Sequence, residues 1–109
     1  MAITHKVLGQ VSLGATTLTA IYTVPALKYA VISTVVICNR GGATTIRLSV
    51  AVAGAADDPK QYIYYDVPLP ANDALAFTAG ITLATTDVLK AYAGAATVTV
   101  SVFGAEGTV

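Results

Sequence analysis

Residues 36–48 read VICNRGGATTIRL and contain the chain's only cysteine, Cys38, two positions before Arg40. A thiol near a guanidinium can be shifted toward thiolate and so become a nucleophile. Such a nucleophile wants a base, and the single histidine, His5, lies in the polar leading segment. No local signature of a cysteine enzyme surrounds Cys38. The competing reading is conformational. Asn39, Arg40, Gly41 and Gly42 separate two apolar runs, and glycine supplies the positive φ that a tight hairpin requires. Cys38 then ends a buried strand and fills space as a small hydrophobe. We read the stretch as a bend and expect the chain to be non-enzymatic.

Other residues suggest chemistry only weakly. Asp57 and Asp58, with Asp66, Asp73 and Asp87, offer hard oxygen ligands for calcium, but the spacing of a calcium loop is absent. An aspartate before proline, as at Asp58-Pro59, is ordinary turn chemistry. Paired carboxylates for glycoside hydrolysis would have to come from distant loops, with Glu106 near the chain end. No catalytic, cofactor-binding or metal residue is therefore expected. The aromatic residues carry more. Alternation puts Tyr62, Tyr64 and Phe103 on a face opposite the core and Tyr65 inward, and outward aromatics anchor interfaces or bind sugars. Tyr62, Tyr64, Phe103 and Arg40 are the expected partner-interface residues.

The elements that must position these residues are strands. From Thr44 to Val52, Ile46, Leu48, Val50 and Val52 alternate with Thr45, Arg47, Ser49 and Ala51. Ile63, Tyr65, Val67 and Leu69 form a second alternation, Leu75, Phe77, Ile81 and Leu83 a third, and Val98, Val100 and Val102 a fourth. Each has the period of two of a half-buried strand. AVISTVVIC (30–38) is apolar on both faces and predicts a strand covered on both sides. Turn chemistry falls at 25–28, 39–42, 54–59, 70–73, 84–87 and 94–96. Seven or eight short strands so punctuated describe an all-β antiparallel sandwich, jelly-roll-like, in a single domain over 1–109.

Composition narrows the role. Formal net charge is zero and charged residues make up 11% of the chain, less than half the usual share. The six basic residues are scattered, so the clustered charge needed to displace counterions from a nucleic acid is missing. No apolar run approaches the length of a membrane span, and MAITHK lacks a secretory leader's apolar core. The chain holds 20 Ala, 15 Thr and 14 Val within a hydrophobic content of 55%. A domain this small cannot hide so much apolar surface alone, so part of it should face other protein.

Two passages, IYTVPALKYAVISTVVICNRGGATTIRLSVAV (21–52) and YIYYDVPLPANDALAFTAGITLATTDVLKAYA (62–93), carry a resemblance. Tyr22 to Lys28 opens into a hydrophobic strand ending at Cys38 to Gly41. Pro70 to Asp73 then precedes Gly80 to Leu83 and Asp87 to Leu89, with a valine-rich strand after them. Over residues 8–104 the chain resembles small β-sandwich virion proteins of tailed bacteriophages. The resemblance implies a capsid decoration (cement) protein on the outer surface of the virion, made in the host cytoplasm and needing no cofactor. Its implied partners are the major capsid protein and copies of itself, as a homotrimer. The alternative it leaves is a tail, fibre or receptor-binding domain that takes a host glycan. The leading segment, 1–8, is expected to be a docking arm that completes a neighbour's sheet edge.

Overall fold

The computed structural model describes residues 3–78 and 80–109. They form nine strands: β1 (Ile3–Ser12), β2 (Thr19–Thr23), β3 (Lys28–Asn39), β4 (Thr44–Ala51), β5 (Tyr62–Leu69), β6 (Ala74–Phe77), β7 (Ile81–Leu83), β8 (Val88–Ala93) and β9 (Val98–Thr108). Sheet A runs β1-β9-β3-β6, with β7 also paired to β3, and sheet B runs β2-β8-β4-β5. All pairings between strands are antiparallel. The expected all-β antiparallel sandwich is the observed fold.

The core lies between the sheets and is built from alternate residues. Ile32, Val35 and Ile37 of β3 and Val98, Val100 and Val102 of β9 meet Ile46 and Leu48 of β4 and Leu89 of β8. These β-branched and leucine side chains stand perpendicular to their sheets and interdigitate. The alternation Leu75, Phe77, Ile81, Leu83 is not one strand. Gly80, at φ 69°, lies in the break between β6 and β7. These then pair with successive parts of β3, Leu75 opposite Ile37 and Ile81 opposite Ile32.

Ile3–Leu8 is not a loose arm. Ile3 to Val7 pair with Gly107 to Phe103 of β9, so this segment is the first half of an edge strand in its own sheet. The apolar Val7, Leu8 and Val11 supply enough pattern to join the sheet, and only the outer edge of β1 is left open. Met1 and Ala2 lie outside the described residues.

Both ends of the sandwich are tied by buried polar groups. At one end Asn39, 1% exposed, fills all its side-chain valences. Its Nδ2 donates to the carbonyls of Gly42 (2.8 Å) and Pro70 (3.1 Å). Its Oδ1 accepts from the Gly41 N–H (3.0 Å) and the Thr97 hydroxyl (2.9 Å). One side chain thus joins the β3–β4, β5–β6 and β8–β9 turns. Toward the other end the carboxylate of Asp87 accepts the N–H groups of Ala84 and Ala53, each at 2.9 Å.

Glu106, 6% exposed, links three strands. It accepts the Tyr22 hydroxyl from β2 and pairs with Lys6 of β1 at 2.9 Å. The hydrogen bond from Tyr22, then that from Lys6, holds its carboxyl below the ordinary glutamate value, and burial opposes them. Burial, reinforced by Glu106, pushes the Tyr22 hydroxyl above the tyrosine range. A depressed folded pKa stabilises above the unfolded value and is lost as pH falls through the folded one. Glu106→Gln should therefore cost about 1–2 kcal/mol at neutral pH. The gap from wild type should close as pH is taken below the ordinary value of 4.5. Urea unfolding of both proteins across pH checks this, and a gap independent of pH would refute it.

Candidate functional site

The thiol and the imidazole do not meet. Cys38 and His5 lie on the same outer face of sheet A, opposite Thr99 and Ala105 of β9. Six residues of extended strand separate those two positions, about 20 Å. Cys38 is half-buried beside Ala74 of β6. It therefore sits on the outer face of its strand, not in the core. Arg40 is exposed in the β3–β4 turn, where its N–H donates to Thr97 O at 2.9 Å. Neither Gly41 nor Gly42 takes the positive φ expected of the hairpin glycines, and the bend is held instead by Asn39, the residue between Cys38 and Arg40.

The outer face of sheet A has an unusual composition. Register and burial place Ile3, His5, Val7, Gln10 and Ser12 of β1 there, with Thr99, Ser101, Phe103, Ala105 and Gly107 of β9. Tyr29, Val31, Ser33, Thr34, Val36 and Cys38 of β3 join them, with Ala74, Ala76 and Thr82 at the far edge. No Asp, Glu, Lys or Arg is among them. Lys6 points to the other side, toward Glu106. A shallow depression of about 580 Å³ is lined by Val7, Val31 and Phe103 together with His5, Lys6 and Ser33. Val31 is 43% exposed. The strand expected to be covered on both sides is thus covered by this chain on one side only.

The aromatic residues of β5 are placed differently from the simple alternation. Ile46 pairs with Val67 and Leu48 with Tyr64, so β5 carries an extra residue between them. That bulge, at Tyr65-Asp66, is a turn of the backbone with Asp66 at φ 51°, a region aspartate tolerates. One extra residue reverses which side chains face inward. Tyr64 therefore points in and stacks on Phe77, ring centroids 4.1 Å apart. Tyr65 points out and is 57% exposed. A second irregularity sets Tyr62 opposite Ser49, on the outer face. Of the four expected interface residues, Phe103 lies on sheet A, Tyr62 on sheet B, Arg40 in an end turn and Tyr64 against the core. They form no common patch.

What assembles on the outer face of sheet B had no single-stretch signature. The Arg47 guanidinium sits 4.2 Å from the Tyr65 ring centroid and 4.3 Å from that of Tyr92. It donates to Asp66, Nε to Oδ1, at 2.7 Å. Tyr62 meets Tyr65 edge to face at 5.1 Å, and its hydroxyl donates to Asp57 Oδ2 at 3.1 Å. Burial first, then that hydrogen bond, raises the Tyr62 hydroxyl above its ordinary pKa and keeps it a donor. The residues come from β4, β5, β8 and the loop before β5, so only strand register brings them together.

Among the described residues no three or more His, Cys, Asp or Glu side chains converge to hold a metal ion. No helix there is long and apolar enough to cross a membrane. No protein-family model and no curated protein matches the chain, so its role has to be argued from these two sheet faces.

Proposed function

We propose that this chain is a non-enzymatic structural protein of a bacteriophage particle. In this reading it is a capsid decoration (cement) protein that docks on the major capsid protein and on copies of itself, as a homotrimer on the outer surface of the virion. The observation that carries the assembly reading is the outer face of sheet A, broad and with no Asp, Glu, Lys or Arg among the side chains that strand register places on it. The phage assignment rests on the resemblance in the strand and turn motifs.

The physics of such a role is additive. The molecule measures 44 × 27 × 20 Å, so a broad face can supply the roughly 800 Å² per partner that a stable interface buries. Each 100 Å² of apolar area removed from water contributes about 2.5 kcal/mol before association costs. A face without charges avoids the desolvation penalty that ion burial imposes. Small residues, Ala74, Ala76 and Ala105, let another surface approach closely.

Copy number in purified particles tests the location. Stoichiometry matching the major capsid protein supports the head, whereas about a dozen copies would move the chain to tail or fibre. The face itself is tested by Val31→Asp, which places a charge on an exposed position and spares the core. Sedimentation should show wild type self-associating and the variant as a folded monomer, with affinity reduced on the order of a hundredfold. An unchanged sedimentation profile would move the interface elsewhere.

A further inference from the structure

The outer face of sheet B carries a cleft of about 510 Å³ lined by Arg47, Asp57, Pro59, Tyr62 and Tyr65. Its volume suits a small ligand, in the range of roughly 300–1,000 Å³ usual for such sites. Three properties of the lining decide what kind. First, it is rigid: Arg47 lies between Tyr65 and Tyr92 and is tied to Asp66, so the aromatic wall is ordered before anything binds. Second, its one cation is already used. The guanidinium is paired with a carboxylate and covered by the rings, so it offers little to an anion. Third, it presents an acceptor. Asp57 takes the Tyr62 hydroxyl on Oδ2, while its Oδ1 makes no hydrogen bond among the described residues.

We propose that this cleft binds a neutral saccharide, with the sugar's C–H surface against Tyr62 and Tyr65 and a sugar hydroxyl donating to Asp57. A saccharide combines an apolar face with hydroxyl donors at its rim, and tyrosine beside a carboxylate matches both. A quaternary ammonium would also seek aromatic rings, but Arg47 already occupies a face of Tyr65 and repels a second cation. An acidic sugar meets the uncompensated charge of Asp57. The site lies on the sheet opposite the proposed assembly face, so it stays open when sheet A is covered, and it stands or falls separately from that reading.

The test is an amide chemical-shift titration of the ¹⁵N-labelled full chain with maltose, lactose and diacetylchitobiose. Choline and sialyllactose serve as charged probes. At least one neutral sugar should give saturable shifts confined to residues around Arg47 and 57–66, with a Kd on the order of millimolar for a disaccharide. Tyr65→Ala should weaken that binding by about tenfold or more while the remaining spectrum stays folded. Asp57→Asn should weaken it as well, and Tyr65→Phe should retain it. No saturable shift with any neutral sugar, tighter binding of choline or sialyllactose, or binding indifferent to Tyr65→Ala would each overturn the proposal.

Discussion

Asn39→Asp should destabilise the protein more than removal of the side chain does, although it changes one amide nitrogen to oxygen. The native amide donates to two carbonyls and accepts from two donors in a site 1% exposed. Asn39→Ala loses those four bonds and strands their partners, at a cost of about 3 kcal/mol. The carboxylate of Asn39→Asp keeps the two acceptor contacts but sets a buried negative charge against the carbonyls of Gly42 and Pro70. Its cost should exceed that of the alanine variant. The new carboxyl would have a raised folded pKa, so the penalty is present at neutral pH and eases as pH falls and a donor returns. Denaturant midpoints at pH 7 and pH 4 check both points. Equal stability of the two variants at neutral pH would refute the added penalty of a buried charge at this junction.

Gly104→Val is expected to be comparably severe for a different reason. A Cβ at Gly104 would stand 2.2 Å from Val31 O and 3.0 Å from Ile32 Cα. Those are backbone atoms of β3, held in register with β9 beside the irregularity at Ile32–Thr34. No rotamer change relieves the clash, so the central pairing of sheet A must open. The cost should be about 3 kcal/mol, a fall of roughly 15 °C in Tm. Gly42→Ala is the control, since a Cβ there meets nothing within 4 Å. Calorimetry of the two variants separates a packing requirement at one glycine from loss of glycine in general.

Strands were legible wherever alternation ran without interruption. Ile46 and Leu48 reach the core as their spacing predicts, and so do Val98, Val100 and Val102. It failed at irregularities. An extra residue at Tyr65-Asp66 costs little in a sequence pattern but exchanges the two faces of β5, sending Tyr64 in and Tyr65 out. β1 was obscured because Thr4, His5 and Lys6 look like a polar leader, whereas an edge strand with one side exposed tolerates such residues. The tyrosine–arginine cleft depends on cross-strand neighbours 18 to 45 residues apart in number, such as Arg47 with Tyr65 and Tyr92. No local reading pairs them. Asn39 was legible only as part of a turn. Its role as a junction required knowing that Pro70 and Thr97 arrive at the same end.

The antiparallel pairing of Ile3 with Gly107 brings the first and last described stretches side by side at one corner. Tension applied between them would peel β1 from β9 like a zipper, breaking ladder bonds one after another rather than all together. A mechanical load carried through the chain ends would thus meet little resistance. Load entering broadside through a sheet face is shared by many contacts at once, and that is the direction in which this molecule is built to be strong.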